Sequence, residues 1–186
     1  MEAIQQLFTD VAAVPQAVLD RLVQKWNIRK QLQRNDYLIE NGQTESTLYF
    51  VSKGSFRIFY PYKGEEICVG FGYDNTLLCA YPSLLLNAPS EYCIQAIKAS
   101  EVLGILRDDF YALMEEAPEL ERCWRKMTEM ALMGKIEREK EMLTFTPEER
   151  LQRLFQRSPH VFQHIPRKYI ASYLRMSPET LSRIRL

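Results

Sequence analysis

Residues 167–186 read RKYIASYLRMSPETLSRIRL, and the spacing of Ile170, Ala171, Leu174, Met176, Leu181 and Ile184 within them predicts two short helices crossing at a tight turn near residues 174–176. Ala171 falls where the helices touch and where only a small side chain lets them approach. Ser177-Pro178-Glu179 is a helix start, with an N-cap hydroxyl, proline in the first turn and an acid at the positive end. The second helix therefore begins at about Ser177 and turns Glu179, Thr180, Ser182, Arg183 and Arg185 outward. Such groups can read base edges or phosphates of double-stranded DNA from the major groove, with Arg167, Lys168 and Ser177 beside them. An ordinary helical hairpin with a basic surface is the alternative.

Charge supports the first reading only once the chain is divided. The formal net charge of the 186 residues is zero. Residues 1–144 carry 16 basic and 21 acidic side chains, however, and residues 145–186 carry 8 and 3, a net −5 against +5. A basic C-terminal module is attracted to phosphate while the acidic remainder is repelled, which orients the molecule on a duplex.

Upstream, Thr146-Pro147-Glu148-Glu149 is a capping box with proline at the first helical position, so one helix ends and another begins there, with Leu151, Leu154 and Phe155 inward. Before it, Pro118 starts a long helix running to about Leu143 and interrupted only by Gly134. Leu120, Trp124, Met127, Ala131 and Gly134 form a narrow stripe at helical spacing. A monomer could bury that stripe against its own body, but Ala131 and Gly134 favour close approach of a second helix in a symmetric homodimer. Asp108-Asp109-Phe110 opens a further helix.

Between residues 28 and 106 the period is two, as in Leu48-Tyr49-Phe50-Val51 and Phe56-Arg57-Ile58-Phe59-Tyr60. Turn signals fall at Asn41-Gly42, Lys53-Gly54, Lys63-Gly64 and Asp74-Asn75. Short strands so evenly spaced predict a β-barrel or double-sheet jelly roll. Residues 79–90, CAYPSLLLNAPS, break the alternation; a turn of helix tucked into the barrel mouth would explain them and could offer backbone N–H groups to an anion, though a plain packed connection fits equally. Two amphipathic stretches in residues 2–26 are expected to cover a neighbouring sheet.

Composition is that of a soluble globular chain, 46% hydrophobic and 26% charged. No run of about 18 apolar residues occurs, and MEAIQQLFTD lacks a basic region followed by an apolar core, so neither a membrane partner nor a signal peptide is expected and the default compartment is cytoplasmic. Cys68, Cys79, Cys93 and Cys123 are far apart without a C-x-x-C pair and read as buried small hydrophobes. His160 and His164 are flanked by Pro159 and Pro166 with no third ligand near, and read as solvated or packing histidines rather than a metal site.

A β-roll, a long central helix and a C-terminal helix-turn-helix, in that order, resemble the Crp/Fnr (catabolite activator) family of transcription regulators. The resemblance is carried by Gly42, Leu48-Tyr49-Phe50-Val51-Ser52-Lys53-Gly54, Gly72, Glu101-Val102, Phe110 and above all IASYLRMSPETLSRIR, and covers nearly the whole chain. It implies an α+β fold: residues 1–117 as a double-stranded β-helix (jelly-roll, cyclic-nucleotide-binding-like) sensory domain, 118–144 as the central dimerisation helix, and 145–186 as the helix-turn-helix DNA-binding domain.

The resemblance also assigns roles. An acid near the start of the second helix and an arginine one turn later, which read bases in the family, match Glu179 and Arg183. The arginine some members place just after the N-cap is Pro178 here, so the target sequence should differ. The usual turn glycine is Arg175, which must tolerate a strained backbone or a modified turn. The family's ligand pocket maps onto Gly72, Ala80, Tyr81, Ser83, Ser90 and Tyr92. Its ribose-binding glutamate corresponds to Ala80 and its phosphate-binding arginine to Ser90, and no arginine occurs between Arg57 and Arg107. A phosphate buried without that fork is poorly compensated, so cyclic AMP is expected to bind weakly or not at all.

The expected function is thus that of a ligand-responsive regulator with no cofactor, metal or catalytic residue. Its candidate partners are double-stranded DNA, a second copy, an unidentified small-molecule effector and RNA polymerase. A sensory module with a degenerate, protein-binding C-terminus is the second reading. A metal-dependent oxygenase on the same barrel is disfavoured, because residues 28–106 contain no histidine. Leu186 follows the N-cap so closely that the recognition helix is only about 15 Å long; either that suffices, or the sequence belongs to a longer chain.

Overall fold

In the computed structural model, which describes residues 1–184, two four-stranded antiparallel sheets face each other. Strands β1 (Ile28–Leu32), β8 (Ser100–Leu106), β3 (Thr47–Lys53) and β6 (Leu77–Leu78) form one, and β2 (Tyr37–Ile39), β7 (Cys93–Ala96), β4 (Ser55–Tyr62) and β5 (Glu65–Tyr73) the other, each in that order. Alternation decides the layering. On β3, Tyr49 and Val51 point into the roll, against Phe56, Ile94 and Val102, while Leu48 and Phe50 point out. That outer face is covered by α1 (Glu2–Thr9), α2 (Gln16–Lys25) and α4 (Arg107–Glu116), and the Trp26 ring meets Phe50 edge-on at 6.3 Å. The N-terminal stretches therefore cover a sheet, as their spacing predicts.

Helix α5 (Pro118–Thr144) runs 27 residues without a break at Gly134. Its first turns belong to the core beneath α1 and α4: Leu120 and Cys123 are fully buried, and Trp124 meets Phe110 edge-on at 5.0 Å. The C-terminal helices follow as α6 (Pro147–Arg157), α7 (Val161–His164), α8 (Arg167–Tyr173) and α9 (Pro178–Arg183). They enclose a small core of Leu151, Leu154, Val161, Ile165, Ile170, Ala171, Leu174 and Leu181. The capping box forms as read: Thr146 Oγ1 accepts from the Glu149 N–H, and the Glu149 carboxylate accepts from the Thr146 N–H.

Strand β5 is the free edge of its sheet, a row of backbone groups that must find partners. The C-terminal helices supply them. Ser172 Oγ, on α8, accepts from Cys68 N–H at 3.0 Å and donates to the Glu66 carbonyl at 3.2 Å. A bulge in the β4–β5 register leaves Val69 without a partner strand residue, and its carbonyl accepts from Lys135 at 3.3 Å. Beside it Phe71 packs on Tyr173, and Tyr73 meets both His160 and His164. The histidines are packing residues, as expected. The four cysteines are free thiols, three of them buried, and burial pushes Cys68 up to about 11 and Cys79 up to about 12.

Candidate nucleic-acid interface and barrel mouth

Helix α9 is set by its own cap. Ser177 Oγ accepts from Thr180 N–H at 3.1 Å, and Pro178 occupies the first turn. Leu181 is the only one of its six residues that is buried, and Ala171, wholly buried on α8, permits the close crossing. The turn between α8 and α9 is closed by Arg175 at φ 56°, in the left-handed region. An arginine thus sits where the turn requires a conformation that glycine adopts most readily, a local strain that the Met176 N–H bond to the Ala171 carbonyl (3.0 Å) helps to hold.

With Leu181 inward, Glu179, Ser182 and Arg183 are exposed together on the opposite side. Hydrogen bonds from its own backbone and from the Ser177 hydroxyl lower the Glu179 pKa, which keeps the carboxylate ionised as an acceptor. Arg183 makes no salt bridge with any described residue. It borders a shallow cleft with Thr180, Ile184, Glu148 and Gln152.

Several sequence-predicted residues are engaged within the chain. Arg167 donates to the Leu181 carbonyl at 3.2 Å and so ties α8 to α9, although its side chain remains at the surface. Lys168 lies over the Tyr169 ring and lines a groove opposite Glu65 and Glu66. Thr180 shares the Ser177 hydroxyl, and Ser182 donates to the Glu179 carbonyl. Arg185 lies outside the described residues.

At the barrel mouth, α3 (Tyr81–Leu86) is the expected turn of helix. Its polar groups do not point into an opening. Ser83 Oγ accepts from Glu45 N–H at 2.8 Å, Tyr92 OH accepts from Tyr81 N–H at 2.7 Å, and Ser90 Oγ donates to the Tyr92 carbonyl at 2.8 Å. The Ser90 backbone is paired at both ends, with Gln43 and Gly42. Ala80, Ser83 and Ser90 are all at most 3% exposed, and the Tyr92 ring packs edge-on against Tyr60.

Gly72 is not a pocket wall either: a Cβ there would lie 2.6 Å from the Leu78 side chain, so the glycine serves close packing of β5 on β6. Of the expected ligand set, Ala80, Ser83, Ser90 and Tyr92 are thus buried, Gly72 packs on Leu78, and the N–H of Tyr81 that could have met an anion is bonded to the Tyr92 hydroxyl.

The expected stripe on α5 is divided. Leu120 is wholly buried and cannot face another molecule, and Trp124 and Met127 pack on the same internal core. Ala131 and Gly134 are exposed, beside a groove lined also by Val69 and Gly70 of β5. The apolar side chains α5 exposes lie on another face: Met130, Leu132, Met133, Ile136 and Leu143, each between 48% and 77% exposed. Helical spacing defines the stripe of Leu120, Trp124, Met127, Ala131 and Gly134, but a helix with one face on its own domain and another in solvent carries two apolar phases, and only tertiary contacts separate them.

Two groups went unrecognised in the sequence. Glu141 is wholly buried on the inner face of α5, accepting from Arg157 at 2.6 Å and Arg153 at 3.0 Å. Burial alone would raise its pKa, but the two guanidinium groups outweigh that and lower it. Its signal was a seven-residue step from Gly134, an acid in the inward phase of the helix. Arg57 is the other: on the outer face of β4 it bonds Gln95 and Glu66 and stacks under Phe59 and, from α8, Tyr169.

Residues 29–117 match the cyclic nucleotide-binding domain family. No protein of curated function matches the sequence. Among solved structures, the fold is similar to the catabolite activator protein of Thermus thermophilus, at 21% identity and a TM-score of 0.60 over 92% of this chain and 82% of that one. It is also similar to a CooA mutant from Carboxydothermus hydrogenoformans, at 14% and 0.70 over 86% and 75%, and to FixK2 from Bradyrhizobium japonicum, at 17% and 0.69 over 84% and 81%. Residues 29–117 thus match the cyclic nucleotide-binding domain family, in a chain whose fold is similar to that of the catabolite activator protein, CooA and FixK2.

Proposed function

We propose that the protein is a DNA-binding transcription regulator whose α8–α9 pair is a helix-turn-helix and whose α9 enters the major groove. The observation that carries this reading is the joint exposure of Glu179, Ser182 and Arg183 on a helix that buries only Leu181. A carboxylate accepts from cytosine N4 and a guanidinium forks onto guanine O6 and N7, each worth about 1 to 3 kcal/mol of discrimination. The net +5 of residues 145–186 supports backbone attraction.

Two copies would pair along the exposed face of α5 through Met130, Met133 and Ile136, spaced three apart, with Leu132 beside them. Paired in this way, they would present two α9 helices to grooves about 34 Å apart. The absence of an arginine between Arg57 and Arg107, together with the internal bonds made by Ser83 Oγ and the Tyr81 N–H, favours a regulator that does not respond to cyclic AMP.

The test is a mobility-shift titration on a duplex selected from random sequence. Arg183→Ala should weaken binding by about 10- to 100-fold and relax the preference at one base pair; unchanged affinity and preference would refute the assignment. The docking of α8 on β5 favours a second reading, a C-terminus that acts through protein contacts. Failure of the wild-type chain to bind random duplex at low salt would refute the first reading and favour the second.

A further inference from the structure

The groove that separates α5 from the bulged part of β5 encloses about 250 Å³ and is roofed by α6 and Val161. Its apolar surface comes from Val69, Phe71, Leu154 and Val161, and its charge from Lys135 and Arg138, one turn apart on α5. Neither cation forms an ion pair with a described residue. Lys135 reaches only the Val69 carbonyl, and Arg138 donates to the Tyr173 carbonyl at 2.9 Å while its guanidinium lies over the Tyr173 ring. The Arg138 Nε is buried with no hydrogen-bond partner.

The third cation on the groove, Arg157, is neutralised by Glu141, so the groove holds two positive charges without an anion. Desolvation and the adjoining Arg138 charge both lower the Lys135 pKa, the response of an amine crowded beside a like charge. The buried Arg138 N–H is costly unless an acceptor joins it, and two neighbouring cations without an anion make the groove attractive to one. Gly134 lies at the open side of the groove, where a Cβ would meet nothing within 4 Å.

We propose that this groove is a binding site for a small organic oxyanion, of about one ring, whose carboxylate or phosphate is clasped by Lys135 and Arg138 while its apolar part lies on Phe71, Leu154 and Val161. The volume, at the small end for ligand sites, sets the size. The site is separate from the barrel mouth and touches the sensory strand, the long helix and the C-terminal helices together. Its occupant would fix how the C-terminal helices sit on β5; that consequence, unlike the binding itself, rests on the regulator reading.

Calorimetry on the full chain with benzoate and with phenyl phosphate, and no DNA present, tests the binding alone. The expected result is saturable binding of at least one probe at one site per chain. Lys135→Met should weaken it by about tenfold, and Gly134→Phe, which places a ring in the entrance, should abolish it. Gly134→Ala, which adds only a methyl group in open space, should bind as wild type and confirms that substitution at this position leaves the fold intact. Absence of saturable binding by either probe, or binding that is the same in wild type, Lys135→Met and Gly134→Phe, would overturn the proposal. Because no duplex enters the titration, its failure leaves the DNA-binding reading standing, and failure of DNA binding leaves this site standing.

Discussion

Helices α3 and α9 are each six residues long and each begins with a proline in the first turn, yet the first turn of one is tied to remote parts of the chain and that of the other is closed locally. The difference lies in where the partners of the first turn come from. At α9 the cap is local: Ser177 bonds Thr180, and the helix needs nothing further along the chain to satisfy that turn. At α3 the residue before the helix is Ala80, which has no side chain to offer, so Tyr81 N–H takes the Tyr92 hydroxyl, and Ser83 reaches back to Glu45. A helix start closed by its neighbours in sequence leaves its outer face available. One closed by remote groups has its first-turn polar groups, here Tyr81 N–H and Ser83 Oγ, committed to partners far along the chain.

Three changes would break or sharpen that contrast. The largest effect is expected in the C-terminal part, where Glu141 joins α5 to Arg153 and Arg157 of α6. Glu141→Gln turns an acceptor toward two cations into a partial donor, and should destabilise the chain by about 2 to 3 kcal/mol in denaturant melts, a value reduced by the partial exposure of the arginines. Because the folded-state pKa of Glu141 is depressed, its contribution is fully present above the ordinary 4.5 and is lost as pH falls through the lower folded value. The gap between wild type and variant should therefore narrow below pH 4.5. A gap that persists undiminished in acid would show that the arginine pairing is not its source.

Next comes the remotely tied helix. Ser83→Ala leaves the half-buried Glu45 N–H without its acceptor and should cost about 1 to 2 kcal/mol, felt through the roll as a whole because the bond spans 38 positions. Smallest is the locally closed helix, where Ser177→Ala removes a cap at the surface and should cost about 1 kcal/mol. It should loosen α9, read as faster amide exchange at Thr180, with little change at β3 or β7. Equal and global effects of the two serine substitutions would erase the distinction between local and remote capping.

Much of this was legible in residues 146–149 and 177–179, where hydroxyl, proline and acid follow one another closely enough to fix a helix start without help. The turn at Arg175 was legible too, as a position where glycine was wanted and the chain had to bend regardless; its φ of 56° is the outcome. The strands of the roll followed from alternation, although on β3 both faces proved buried, one under helices and one inside the roll. The face of α5 was not legible. Apolar residues recur on it in more than one phase, and periodicity cannot say which phase meets the chain's own core.

The sequence by itself determined where elements begin and end, because caps, prolines and turn residues act over three or four positions. It also determined that residues 58–106 carry no arginine of their own. Tertiary structure alone decided that Ser83 and Tyr92 are engaged internally, that Leu120 is interior while Met133 is not, and that Lys135 and Arg138 converge on one groove without an anion. Those outcomes depend on which distant groups arrive within hydrogen-bonding reach, and that is set by the packing of sheets and helices rather than by neighbours in the chain.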